Sequence, residues 1–209
     1  MNRSKIASFD VDCQKTFTPL CPAELPVTGG HEIVAELNAQ AAYAQYRLGC
    51  KEGHSPNAIW VNASKNAQPF ENHENIDRYW VAHAIPGTVG FESLEGLPHP
   101  SQYDYFAWKG VELDLHPYGG CYHDAAEKVS TGAIEFLKYN GVESVIVGGL
   151  ALDYCVKQTV IQLCRAGLAV IVNLGASRGL AAATVTQALQ EMREQGVRIV
   201  ESATELEKL

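Results

Sequence analysis

Apolar positions along the chain follow two periods, one of three to four residues and one of short unbroken runs, and in the C-terminal half the two alternate. Three segments share one order of helical spacing, glycine and β-branched run: DAAEKVSTGAIEFLKYNGVESVIVGG, VKQTVIQLCRAGLAVIVNL and TVTQALQEMREQGVRIVE. Gly141, Gly167 and Gly196 stand where a helix takes a left-handed C-terminal residue. The continuous runs after them fit strands buried on both faces. The N-terminal half predicts a first strand in KIASFDVD, a helix over HEIVAELNAQAAYAQYRLG ending near Gly49, a second strand in AIWVNA and a third in YDYFAWKG. Alternating helices and about six strands imply an α/β protein with a mainly parallel sheet and helices on both faces. Residues 64–102, rich in Asn, His, Pro and Gly and without a clean period, predict an ordered functional loop. Nothing marks a boundary, so one domain over 1–209 is expected.

In an open parallel sheet, ligands bind beyond the C-terminal ends of the strands. Three chemically capable side chains fall at such ends: an acid at the end of IASFDVD, either Asp10 or Asp12, then Lys109 after YFAW and Cys155 beyond SVIVGG. Cys155 also opens a helix directly after a glycine-rich turn, GGLALDYC, where backbone N–H groups and the helix dipole favour thiolate. Each residue has an inert alternative as a solvated strand end, a surface charge or a small core residue. Together they describe a nucleophile with an acid and a cation beside it.

Charge and composition narrow the partners. The formal charge is −8, and the 16 Lys and Arg residues form no cluster that could follow a phosphate backbone, so no nucleic-acid partner is expected. No apolar run approaches the ~18 residues of a membrane span, and MNRSKIASFDVD lacks the core and cleavage site of a signal peptide, so the expectation is a cytoplasmic protein with no membrane partner. The six cysteines have no CxxC spacing and predict free thiols. GxGxxG and GxSxG are both absent, which removes a dinucleotide oxidoreductase and a serine hydrolase of the nucleophile-elbow type.

Four segments in order, VDCQKTF at 11–17, WVAHAIPGTVG at 80–90, WKG at 108–110 and GGLALDYCVKQT at 148–159, resemble the nicotinamidase branch of the isochorismatase-like cysteine hydrolases. The resemblance implies a three-layer α/β/α sandwich, a catalytic triad of Asp12, Lys109 and Cys155, and an oxyanion hole of the Ala151 and Cys155 backbone N–H groups beside a cis Leu150–Ala151 bond. Gln14, two residues after Asp12, is what selects Asp12 over Asp10. The resemblance also implies substrate contacts from Phe17, Trp80 and Leu150, a small-molecule amide substrate and a homo-oligomer. Nicotinamide is the first substrate it suggests; the alternatives are another small amide, a carbamoyl or ureido compound, or a non-catalytic small-molecule binder.

The family commonly holds a divalent metal such as zinc through an Asp-x-His pair after the second strand, a further His or Glu, and the His of Trp-x-x-His. With the second strand at AIWVNA, the pair falls on Ser64 and Asn66, and only His83 matches directly, with His73, Glu71 or Glu74 as loop replacements. Serine and asparagine are weak ligands for zinc or iron. A metal site of the usual kind is therefore not expected, a weaker one on His83, His73, Ser64 and Asn66 being the alternative. Lys65 or Asn66 is expected to hydrogen-bond the substrate ring instead.

Overall fold

The computed structural model describes residues 2–208. Six strands form one sheet: β1 (Ile6–Val11), β2 (Tyr46–Glu52), β3 (Tyr105–Lys109), β4 (Ser144–Leu150), β5 (Ala169–Arg178) and β6 (Arg198–Val200). Their order is β3-β2-β1-β4-β5-β6 and every pairing is parallel. Alternation along the central strands sends side chains to two cores. Phe9, Val11, Val145, Val147, Val170 and Val172 face the layer built by α2 (Ala133–Tyr139), α3 (Lys157–Arg165) and α4 (Ala182–Glu194). Ile6, Ile146 and Ile171 face the other way, toward the C-terminal turn, on the side where α1 (Val34–Ala41) packs. The result is the three-layer α/β/α sandwich. Among the described residues no helix is long and apolar enough to cross a membrane.

One expected element moves. The helix predicted as far as Gly49 ends at Ala41, and the residues after it form β2. AIWVNA is loop, touching only a single bridge between Val61 and Trp80. Pairing with β1 from Ala7↔Tyr46 to Val11↔Cys50 overrides the local helical pattern, because β2 closes the sheet between β1 and β3. The segment that leaves the C-terminal end of the second strand is therefore Gly53-His54, well before Ser64.

The end of β4 leaves no room for a side chain at Gly149. It holds φ +137°, and a Cβ there would lie 2.0 Å from the Val11 carbonyl oxygen on β1. Gly149→Ala is expected to cost about 3 kcal/mol or more, lowering Tm by roughly 6–12 °C in thermal unfolding. An unchanged Tm would contradict this packing.

Candidate active site

Each strand-end residue is held by a specific local device. Asp12 continues the ladder with its N–H to the Cys50 carbonyl at 3.1 Å, then turns the chain with φ +48°, a left-handed value that persists only where surroundings enforce it. Gln14 supplies that enforcement: its amide donates to the Glu52 carbonyl at 2.9 Å, and its oxygen accepts from the Glu52 N–H at 2.8 Å. That bond pair, between the ends of β1 and β2, is the physical content of the Asp-x-Gln motif. Lys109 closes β3 directly opposite Glu52. Past β4 the chain passes the cis Leu150–Ala151 bond into a single π-helical turn, Leu152–Val156, which carries Cys155 and runs into α3. Asp153 in that turn accepts from the N–H groups of Leu180 and Ala181 at 3.0 and 3.3 Å, tying the cysteine turn to the start of α4.

The three side chains meet with a fourth, Glu52. Lys109 Nζ lies 2.9 Å from Asp12 Oδ2 and donates to Glu52 Oε1 at 2.7 Å and to the Pro117 carbonyl at 3.3 Å, all in full burial. Burial works against the charge of Glu52, but Lys109 and His54 outweigh it and hold the carboxyl well below its usual range. Burial likewise opposes the Lys109 ammonium, and Asp12 and Glu52 together push it well above. For Asp12 the balance falls the other way: burial raises its carboxyl more than Lys109 lowers it. Two neighbouring carboxyls driven apart in this way mark different roles, one remaining an anion and the other ready to take a proton.

Burial pushes the Cys155 thiol well above its usual value despite Lys109, so the resting sulfur is protonated. Its S–H donates to Glu52 Oε1 at 3.7 Å, and Sγ stands within 4.8 Å of an oxygen of both Asp12 and Glu52. Asp12 Oδ1 accepts from the Cys50 thiol at 3.1 Å, whereas Oδ2, although ion-paired with Lys109, accepts no hydrogen bond of ordinary geometry. Asp12 therefore spends one oxygen on the Cys50 thiol and turns the other to the Lys109 ammonium.

Cys155 opens onto a pocket walled by Phe17, Trp80, Tyr118 and Tyr154 and completed by Ala151, Glu52, His83 and His116. The Trp80 indole N–H donates to the Tyr118 hydroxyl at 3.2 Å, which in turn donates to Asp77 at 2.7 Å, fixing two of the flat walls. Three imidazoles, His54, His83 and His116, gather with ligand nitrogens all within 4.8 Å of one another. His54 and His83 each bring Nε2 to Glu52 Oε2, at 3.0 and 3.3 Å, while their Nδ1 atoms are set by the Gly110 and Val81 carbonyls at 2.7 and 2.8 Å. Burial lowers His54, and burial with the neighbouring His54 lowers His116 well below the usual histidine value, which leaves these rings neutral and able to ligate. Imidazoles oriented by carbonyls through their second nitrogen, converging on a carboxylate oxygen, are a donor set suited to zinc or iron. The residues present fit a divalent metal.

Asp12, Lys109, Cys155, Ala151, Phe17, Trp80 and His83 come together here, and the remaining sequence candidates do not. Ser64 and Asn66 lie on an exposed turn, where Ser64 bonds Asn62 and Asn66 accepts from the Val81 N–H. Lys65 extends over the Tyr79 ring on the outer surface, 4.9 Å from its centroid. His73 is half-buried and accepts from the Asn75 N–H, and Glu74 pairs with Lys128 on the surface. Glu71 is exposed. Leu150 is buried in a core cluster, and Ala151 lines the cavity in its place. The placement of the acid-x-His pair at Ser64 and Asn66, and the ring contact assigned to Lys65 or Asn66, followed from the late second strand and are corrected by it: the pair beyond β2 is Glu52 and His54. Its signal was present as EGH, with glutamate in place of aspartate. His116 carried no comparable signal, because it reaches the cluster only through the folding back of the loop after β3.

The chain is similar in sequence and fold to known proteins. An Isochorismatase domain matches residues 118–204. The nicotinamidase/pyrazinamidase of Mycobacterium tuberculosis is 28% identical over 195 residues, covering 91% of this chain and 95% of its own. Among solved structures, an Acinetobacter baumannii nicotinamidase/pyrazinamidase superposes with a TM-score of 0.86 at 27% identity, over 99% of this chain and 100% of that one. The pyrazinamidase of Pyrococcus horikoshii, solved in complex with zinc, superposes with a TM-score of 0.72 at 25% identity over 94% and 98%.

Proposed function

We propose that the chain, which is similar to nicotinamidases over nearly its whole length, is an amidohydrolase of the nicotinamidase branch of the isochorismatase-like family and hydrolyses nicotinamide to nicotinic acid and ammonia through a thioester at Cys155. The observation that carries the reading is a buried thiol beside two carboxyls of opposed acidity, opening onto a slot of flat aromatic walls with imidazoles in its lining. A planar heteroaromatic amide fits that combination.

In this mechanism the ring enters between Phe17 and Trp80, which bury its faces and exclude water. The Asp12 carboxylate takes the thiol proton as Cys155 attacks the carboxamide carbon, and Lys109 stabilises the charge carried by Asp12 and the sulfur. The oxyanion is received by the backbone N–H groups of Ala151 and Cys155, each donor typically worth about 3–4 kcal/mol in such sites. Asp12 passes its proton to the departing nitrogen, and ammonia leaves. The same carboxylate then draws a proton from water, which cleaves the thioester and frees the acid. Glu52 stays ionised throughout, because its Lys109 and His54 partners keep it a poor base. A divalent metal held by Glu52, His54 and His83 would supply a Lewis acid for the ring nitrogen. A nucleophilic thiol and six free cysteines suit a reducing compartment, and we place the protein in the cytoplasm on that ground.

Ammonia release from nicotinamide, pyrazinamide and a panel of carbamoyl and ureido compounds tests the assignment. The expected result is turnover of the two aromatic amides, lost after chelation and restored by zinc or ferrous iron. Failure to release ammonia from nicotinamide with either metal present would overturn it, and turnover of a ureido compound alone would move the substrate.

A further inference from the structure

We propose that His116, on the loop after β3, is itself a ligand of the metal centre, completing a three-histidine, one-carboxylate set with Glu52, His54 and His83. This rests on the preceding reading that those three residues hold a divalent metal.

The case begins with hydrogen-bond accounting. A buried imidazole ordinarily spends at least one ring nitrogen on a protein partner. His54 and His83 do so, each anchoring Nδ1 on a backbone carbonyl. His116 is 3% exposed, and neither Nδ1 nor Nε2 has a partner. Such a ring is costly to keep unless something binds it. Its place says what: it stacks on His54 with centroids 5.2 Å apart and 18° between planes, and its ligand nitrogen lies within 4.8 Å of those of His54 and His83.

The surrounding loop holds the ring there. Trp60 donates its indole N–H to the Leu115 carbonyl at 3.0 Å, and the His116 N–H donates to the Asn75 carbonyl at 3.1 Å. The next residue, Pro117, offers its carbonyl to Lys109 Nζ at 3.3 Å. One loop therefore sets the metal's extra ligand and a contact of the buried lysine on successive residues. The segment between His54 and His83 brings no imidazole to the cluster, since its one histidine, His73, is occupied by the Asn75 N–H. His116 makes good that ligand from another direction.

Zinc and cobalt binding to the metal-free full chain tests this. Affinity is measured by competition with a chromophoric chelator, and coordination is read from the visible spectrum of the cobalt form. The variants are His116→Gln, His116→Phe, His54→Gln and His83→Gln, with thermal unfolding of each metal-free form to check folding. His116→Gln and His116→Phe are expected to weaken zinc by about 100-fold and to change the cobalt spectrum. In parallel, ring ¹⁵N resonances of the unmutated protein are expected to shift for three of its seven histidines on adding zinc. If zinc shifts two, and both His116 variants bind as tightly as the parent while the His54 and His83 variants lose affinity, the proposal falls and the metal centre stands. If the parent binds neither metal, the metal centre falls and takes the proposal with it.

Discussion

Cys155→Ala is expected to lower ammonia release from nicotinamide by about 10⁴-fold or more, at unchanged substrate binding and with little change in Tm. The size follows from chemistry that has no substitute: both bond-making steps pass through the sulfur, and enzymes stripped of their nucleophile lose activity on this scale. The small structural effect follows from what the thiol does at rest. It occupies a buried position and makes one long contact to Glu52 at 3.7 Å, so its removal takes away little packing and no strong bond. The control is the rest of the cysteines. Cys21 and Cys164 are only partly buried and far less engaged, and alanine there is expected to change kcat/KM by less than about twofold. Cys50 is different, since its S–H holds Asp12 Oδ1 at 3.1 Å. Full retention of turnover in Cys155→Ala, or an equal loss in Cys21→Ala, would remove the thioester mechanism.

What could be read before the structure, and what could not, divides along a physical line. β4, β5 and β6 were legible because VIV, AVIV and VRIV are short β-branched runs, apolar except for Arg198, that follow a glycine ending a helix. β2 was not. Its residues YRLGCKE include three charges in seven, which locally looks like the polar face of the preceding helix. In the fold those charges have distant partners: Arg47 reaches Asp10 at 2.7 Å and Glu52 reaches Lys109, pairings that no local window contains. Lys109, Cys155 and an acid at Asp10 or Asp12 were found by one general rule, that chemistry gathers at strand ends, and the family resemblance then chose Asp12. Glu52 and His54 obey the same rule and were missed only because their strand was misplaced. His116 obeys no such rule; it sits on a loop, and its role depends on three-dimensional return to His54.

Lys109→Met is expected to do what Cys155→Ala does not, and lose stability together with activity. In the parent, one ammonium at 0% exposure serves two carboxylates, 2.9 Å from Asp12 and 2.7 Å from Glu52. Methionine fills the volume and leaves two buried acids facing one another, a change that costs about 3–5 kcal/mol when one partner of a buried pair is removed. The sign with pH separates this from a packing defect. Without the lysine, both carboxyls have folded-state pKa values above their unfolded ones, so the deficit is greatest at pH above the raised values and shrinks as pH falls and both acids take protons. In the parent the dependence is reversed for Glu52: its carboxyl is held low, so its stabilisation is present above the unfolded value of 4.5 and lost as pH falls through the folded one. At the alkaline end the parent loses the stability supplied by Lys109 as pH rises through that residue's raised value. Adding Glu52→Gln to Lys109→Met should return part of the stability by removing one of the two charges. It should return no activity, because Asp12 and the sulfur still lack the cation that supports their charged forms. Chemical denaturation at pH 5 and pH 8, with ammonia release measured on the same samples, distinguishes the outcomes. A single variant as stable as the parent at pH 8 would mean that the buried charge cluster is not the arrangement described, and a double variant that regains turnover would remove Lys109 from the chemistry.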